Sequence, residues 1–236
     1  MAAKFSLIIP TYNERANVQT ILRQLQTLLE PVLPGQYELI VVDDDSPDRT
    51  WEAVEALSAE IPQARVIRRV GERGLATAVV AGWKAAQGEW LGVIDADLQH
   101  PPEVILQFLK ALENGADLVA GSRHVEGGGV KNWSIIRRFL SRSATAMGVF
   151  LLPAAGKVTD PMSGLFALRR SSVDFDTLQP LGYKILLEVL GRGHFQKIVE
   201  VGYVFRGRTE GASKVTWRLY WEYLVQIWRL RSAKKR

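Results

Sequence analysis

Between residues 5 and 120, short apolar runs alternate with stretches of helical periodicity, and few folds accommodate that rhythm. Phe5 to Ile9, Tyr37 to Val42, Ala64 to Arg68, Trp90 to Ile94 and Asp117 to Ala120 read as strands. Between them, Asn17 to Leu29, Trp51 to Ala59, Ala76 to Ala86 and Glu103 to Glu113 read as helices. Strands separated by helices close as right-handed crossovers. The pattern therefore predicts an α/β fold, a mostly parallel, Rossmann-like sheet flanked by helices. No G-x-G-x-x-G follows the first strand, where the chain reads Ile9-Pro10-Thr11-Tyr12-Asn13-Glu14, and this argues against a nicotinamide dehydrogenase. A G-x-x-x-x-G-K-[ST] phosphate loop is absent as well.

One strand runs into carboxylates. Glu89-Trp90-Leu91-Gly92-Val93-Ile94-Asp95-Ala96-Asp97-Leu98-Gln99 is apolar up to Asp95 and Asp97. Side chains alternate along a strand, so the two aspartates are expected to leave its end on the same side. Two like charges held close repel unless one takes a proton or a cation lies between them. Two carboxylates with positions left for water and phosphate suit Mg²⁺ or Mn²⁺. An Asp-x-Asp triplet alone is a weak signal, often a solvated loop or a helix cap. Its place at the carboxyl end of a strand, where open α/β sheets bind ligands, points to a nucleotide-diphosphate site.

At 236 residues the chain is expected to form one large domain. It has no cysteine, which excludes disulfides and thiolate metal sites. Met1 to Lys4 runs straight into a strand, leaving no room for a signal peptide. No transmembrane helix is expected: the nearest apolar stretch, Ala144 to Ala155, is short and broken by Pro153. The net charge of +5 is uneven, with Arg137, Arg138 and Arg142 in one segment and many basic residues from Arg206 to Arg236. That bias suits a phosphate-rich partner or an anionic membrane surface.

Beyond residue 121 the rhythm changes. Gly127-Gly128-Gly129 reads as a mobile loop. Trp133 to Leu152 reads as a helix and Thr159 to Gly164 as turns. A strand at Leu165 to Leu168, a helix at Tyr183 to Leu190 and a strand at Lys197 to Phe205 follow. In the tail, Trp217 to Leu230, the residues Arg218, Glu222, Gln226 and Arg229 form one polar stripe on an otherwise apolar, Trp- and Tyr-rich helix. Such a helix docks on protein or lies in a membrane interface. Its aromatic rings and basic end favour the interface.

The ordered set of motifs resembles the family 2 glycosyltransferases of GT-A fold, and within them the dolichol/polyprenol-phosphate mannosyltransferases. The resemblance rests on Ile8-Ile9-Pro10-Thr11-Tyr12-Asn13-Glu14, Val41-Val42-Asp43-Asp44-Asp45-Ser46-Pro47-Asp48 and Ile94-Asp95-Ala96-Asp97-Leu98-Gln99-His100-Pro101-Pro102. It continues through Gly121-Ser122-Arg123, Thr159-Asp160-Pro161-Met162-Ser163-Gly164, Gly182-Tyr183-Lys184-Ile185-Leu186-Leu187-Glu188, Arg208 and Gly211-Ala212-Ser213-Lys214. The resemblance implies that Pro10, Tyr12, Glu14, Val42 and Asp44 hold the donor nucleotide. Asp95, Ala96, Asp97, Leu98 and Gln99 would meet its diphosphate, with Asp95, Asp97 and Gln99 around the metal, Mg²⁺ or Mn²⁺. Arg123, Arg137 and Ser141 would engage an acceptor phosphate, and Arg208 and Lys214 would close over the donor. Asp95, Asp97, Arg123 and Arg208 are the catalytic candidates on the same ground.

The implied reaction is inverting transfer of one hexose, mannose from GDP-mannose, to dolichyl or polyprenyl phosphate, giving a β-linked polyprenyl-phosphate sugar. A phosphate monoester has a second pKa of about 6 and is mostly dianionic near neutral pH, so it needs no general base. The three histidines, His100, His124 and His194, are then free of that task. His100 and the segment Tyr183 to Glu188 lean toward mannose, and UDP-glucose is the alternative donor. A sugar-phosphate nucleotidyltransferase and a non-enzymatic membrane-binding module are more distant readings.

The expected organisation is a catalytic domain over residues 1–213, with a nucleotide-sugar half to about 121 and an acceptor half from 122. Residues 214–236 would form a basic amphipathic interface helix. The expected location is the cytoplasmic side of a membrane, held peripherally, with a membrane-anchoring partner or a second copy as further partners and no nucleic acid. Relatives that carry transmembrane helices after this domain leave the means of anchoring open.

Overall fold

A computed structural model of the chain describes residues 3–130, 149–150, 152–207 and 217–233. In chain order the first half is β1 (Phe5–Thr11), α1 (Arg15–Leu29), β2 (Tyr37–Asp43), α2 (Thr50–Ser58), β3 (Ala64–Arg68), α3 (Leu75–Ala85), β4 (Trp90–Val93), α4 (Val104–Glu113) and β5 (Leu118–Ser122). All nine elements expected there are present. Then come β6 (Gly129–Val130), β7 (Phe166–Arg169), α5 (Ile185–Arg192), β8 (Ile198–Gly202), β9 (Val204–Phe205) and α6 (Trp217–Ala233).

Seven strands form one sheet in the order β3-β2-β1-β4-β7-β5-β8, and β6 pairs with β9 in a second, small sheet. Within the large sheet only β7 is antiparallel to its neighbours, β4 and β5. The sheet is therefore mixed and mostly parallel. Because β1, β2, β4 and β5 run the same way, their carboxyl ends share one edge.

Strand alternation divides the core between the two faces of the sheet. Leu7, Ile9, Leu39 and Val41 face Val18, Ile21 and Leu22 of α1, Val54 of α2 and Phe108 of α4. Ile8, Ile40 and Val42 face Val79 and Trp83 of α3, in a cluster that extends to Leu186 and Val189 of α5. A third cluster joins Leu152, Ala154, Met162 and Leu187 to Tyr223, Ile227 and Leu230 of α6.

Several local expectations differ from what is observed. The strand leading to the carboxylates ends at Val93, so Asp95 and Asp97 lie in the turn after it and strand alternation does not orient them. Gly128 N–H donates to Val125 O at 2.8 Å, and the glycine run leads into β6, where a loop was expected. The strand expected from Lys197 to Phe205 breaks at Tyr203 into β8 and β9. In the tail, the polar stripe is interrupted because Gln226 is buried; its Nε2 donates to Lys184 O at 3.3 Å. One face of α6 is thus docked on the body of the protein, while Trp228, Arg229 and Arg231 remain exposed. The helix expected over Trp133 to Leu152 lies outside the described residues apart from Val149, Phe150 and Leu152, of which Val149 and Phe150 are helical. Among the described residues no helix is long and apolar enough to cross a membrane.

Helix α3 sits close against the sheet because Gly82 carries no side chain at the contact. A β-carbon there would lie 2.6 Å from Ile8 Cγ2 and 3.1 Å from Val42 Cγ2, both on buried side chains. Overpacking of this kind costs about 1–3 kcal/mol. Gly82→Ala should therefore lower the free energy of unfolding by that amount, read as a lower urea midpoint with an unchanged slope. An unchanged midpoint would show that α3 moves away freely.

Candidate active site

The loops leaving the shared edge are held by a buried carboxylate. Asp43, at the end of β2, accepts Thr11 Oγ1 at 2.8 Å, Ser46 N–H at 2.9 Å and Ser46 Oγ at 2.6 Å. Ser46 Oγ in turn accepts Asn13 N–H at 2.9 Å, tying the exits of β1 and β2 together. Asp48 accepts Thr50 N–H at 3.0 Å at the start of α2 and Arg15 N–H at 3.0 Å at the start of α1. Four residues without glycine's freedom take left-handed backbone here: Asn13 (φ 55°), Asp45 (φ 52°), Arg49 (φ 58°) and Leu98 (φ 59°). Strain of this sort is held only where the surroundings over-determine it, and it concentrates at functional sites.

The expected nucleotide residues lie on these loops in different ways. Pro10 and Val42 face each other in the register of β1 and β2. The Val42 side chain is buried in the core. Tyr12 carries the Arg73 guanidinium over its ring at 4.3 Å. Glu14 Oε2 accepts Asn17 Nδ2 at 2.9 Å. Asp44 is already engaged on both oxygens. Its Oδ1 accepts Arg69 Nε at 2.8 Å and also Arg69 Nη2, while Oδ2 accepts Gly74 N–H at 2.8 Å. Arg69, which the sequence reading passed over, is buried and continues to Thr77 Oγ1 at 3.1 Å.

After β4, Ala96 is buried in the core and Leu98 packs at its margin, so both offer backbone. Asp97 is buried, and its Oδ1 accepts Gln99 N–H at 3.1 Å. Gln99 donates Nε2 to Arg206 O at 3.0 Å, and Arg206 N–H donates to Gln99 O at 2.9 Å. Asp95 is part-exposed, with His100 Nδ1 at 3.5 Å from its Oδ2. A β-carbon on Gly164 would fall 2.9 Å from the same oxygen, so a larger residue there would make the Asp95 carboxylate shift. Burial first, and the Arg123 and Lys184 charges after it, push His100 down to about 4 against the attraction of Asp97, so its ring is neutral near pH 7.

Arg123 follows β5 directly and is committed to a partner that the sequence did not announce. Its Nε donates to Asp160 Oδ2 at 2.7 Å, its Nη2 to Oδ1 at 2.8 Å and its backbone N–H to Oδ2 at 3.1 Å. Asp160 has no exposed surface. Burial alone would raise its carboxyl, but Arg123 outweighs that and holds it below the usual carboxylate range. Half-buried Lys184, also missed, donates Nζ to Met162 O at 2.8 Å. Burial and the neighbouring Arg123 bring Lys184 down to about 8, while Asp160 and Asp95 pull the other way. A lysine opening an otherwise apolar helix, Tyr183-Lys184-Ile185-Leu186-Leu187, was the available signal.

Tyr12, Glu14, Asp44, Asp95, Asp97, Gln99 and Arg123 thus share the carboxyl edge of the sheet. Arg137, Ser141, Arg208 and Lys214 lie outside the described residues. Among the described residues no three His, Cys, Asp or Glu side chains form a closed metal cage.

Comparison with known proteins bears on this edge. The model of glycosyl transferase family 2 matches residues 6–175. A dolichol-phosphate mannosyltransferase of Pyrococcus furiosus is 47% identical over 227 residues, which cover 96% of this chain and 63% of that protein. The chain thus spans less than two thirds of that relative. A Saccharomyces cerevisiae dolichol-phosphate mannosyltransferase is 36% identical, over 96% of this chain and 86% of that protein. Among solved structures, glucosyl-3-phosphoglycerate synthase of Mycobacterium tuberculosis, in complex with Mn²⁺, UDP-glucose and phosphoglyceric acid, superposes with a TM-score of 0.70 at 20% identity. That match covers 98% of this chain and 80% of the other, and it shows a shared fold, the GT-A fold expected from the sequence.

The Arg123–Asp160 pair is the most exposed to test. Removing one partner of a buried pair costs about 3–5 kcal/mol. Asp160→Asn should destabilise the protein by that amount in urea at pH 7. The folded carboxyl titrates below the unfolded value of about 3.9, so its contribution is full above that pH and is lost as pH falls through the lower folded value. The gap between the two proteins should therefore shrink below about pH 4. A gap that stays constant with pH would mean that the charge contributes nothing.

Proposed function

The chain belongs to glycosyl transferase family 2, and from that premise we propose that it transfers one mannose from GDP-mannose to a dolichyl or polyprenyl phosphate with inversion. The observation that carries this reading is the grouping of Asp95 and Asp97 with the half-buried cations Arg123 and Lys184. Carboxylates suit a cation on a diphosphate, and half-buried cations suit a phosphate nucleophile rather than a general base. The printed activity of the relatives supports the choice of donor and acceptor.

The donor set fits a hard cation. Asp95, Asp97 and the Gln99 amide are oxygen ligands, too few for a cage and right for Mg²⁺ or Mn²⁺ that keeps water and phosphate ligands. Manganese in the related fold supports this. When bound, the cation neutralises charge on the departing diphosphate. The remaining work belongs to the chain. Tyr12, Glu14 and Asp44, with the backbone of Pro10, Val42, Ala96 and Leu98, receive the nucleotide, and Arg208 and Lys214 close over its phosphates. Arg123, Arg137 and Ser141 take the acceptor phosphate. Arg123, locked on Asp160, acts as a fixed positive wall that costs no reorganisation in the transition state. An acceptor oxygen attacks the anomeric carbon in line. The bond from that carbon to the diphosphate oxygen breaks, and the electron pair leaves with the nucleotide.

The exposed side of α6, with Trp228, Arg229 and Arg231, fits peripheral contact with the cytoplasmic face of a membrane. In this reading residues 1–213 are the catalytic domain, divided near 121, and 214–236 the interface helix. A further anchoring segment, a partner or a second copy would add to its hold.

Radiolabelled GDP-mannose and UDP-glucose offered in parallel, with short-chain polyprenyl phosphate and Mn²⁺ or Mg²⁺, test the proposal. Label is expected in the lipid extract from GDP-mannose alone, and Asp97→Ala should abolish it. Arg137→Ala should weaken acceptor use and spare donor binding. Label from UDP-glucose alone would move the donor assignment, and label from neither donor with folded protein would overturn the reaction.

A further inference from the structure

His100 is buried to 2% exposure beside the carboxylate pair. Its ring is fixed on two sides, with Tyr203 at 5.4 Å between centroids and Phe205 edge-on at 5.2 Å. Nδ1 is fully buried without a hydrogen-bond partner, although most buried ring nitrogens have one. Asp95 Oδ2, 3.5 Å away, lies just beyond hydrogen-bond length. Ordinary torsional motion of an aspartate side chain closes that gap. The same oxygen is bounded by Gly164, whose missing β-carbon would meet it at 2.9 Å. One carboxylate oxygen is therefore confined between an imidazole edge and a bare Cα.

We propose that His100 is a positioning residue whose Nδ1–H donates to Asp95 Oδ2 and turns the other carboxylate oxygen toward the divalent cation. This rests on the reading of Asp95 as a cation ligand. It also explains why a histidine stands where a phenylalanine would fill the aromatic pocket equally well: only the imidazole brings a donor to that oxygen. Outer partners that orient a ligand in this way typically change metal affinity 10–100-fold when removed.

The test is Mn²⁺ affinity in the presence of GDP, read from the electron paramagnetic resonance of free Mn²⁺, with thermal melting as a check of folding. His100→Phe keeps the ring and its packing but has no donor, and it should weaken Mn²⁺ binding about 10–100-fold. His100→Asn places an amide N–H near the Nδ1 position and should retain most of the affinity. If His100→Phe does not fold, His100→Gln takes its place: its amide reaches past Asp95 and should weaken binding in the same way. Wild-type affinity in the donor-less variant, or an equal loss in His100→Asn, would overturn the proposal. Asp95→Asn separates the two levels of the argument. Undiminished Mn²⁺ binding in that variant would reject Asp95 as a ligand. A loss there, with His100→Phe unaffected, would reject only the role of His100.

Discussion

Arg123 and Asp160 hold each other in the interior, and the acceptor side of the edge is arranged around them. A buried ion pair gains little net stability over apolar residues of the same size, because desolvation offsets most of the attraction. What it contributes is position. Three donors of Arg123, including its backbone N–H, converge on one carboxylate, which leaves the 159–164 turn little freedom relative to the end of β5. That turn carries Met162, whose carbonyl receives Lys184, and Gly164, which lets Asp95 approach. One pair thus links four segments distant in sequence, and each of them brings charge to the same place.

A second arrangement, of similar build, organises the nucleotide side. Asp43 draws together the exits of β1 and β2, and Asp44 is occupied by Arg69 and the backbone of Gly74 at the start of α3. The loops are rigid enough to hold Asn13, Asp45 and Leu98 in left-handed backbone that open loops would relax. The sheet beneath supplies that rigidity through cores on both of its faces. Packing reaches the edge itself, where the Val42 side chain lies in the core and its carbonyl accepts Thr11 Oγ1 at 3.5 Å.

The docking of α6 shows a different balance. Gln226 enters a mostly apolar contact to reach Lys184 O and the buried Glu188. Because Lys184 also holds Met162 O, the helix rests on the element that borders the site. Periodicity had marked Gln226 as part of one polar stripe with Arg218, Glu222 and Arg229. Charge pattern alone does not tell a solvated polar residue from one that meets a buried partner, since the partner lies on another helix.

The sequence by itself determined the alternating half of the fold, because strand and helix periods are local and the crossover rule leaves few ways to connect them. It also marked Asp95, Asp97, Asp44 and Arg123, since their types follow strand ends in an order that resembles a known family. Tertiary structure alone decided that β7 enters antiparallel between β4 and β5, a choice of partners that no local period records. It alone ended β4 at Val93 and put the aspartates into a turn. The partners Arg69, Asp160 and Lys184 belong to the same class: a buried charge is defined by what surrounds it, and those surroundings are assembled from segments the chain brings together only on folding.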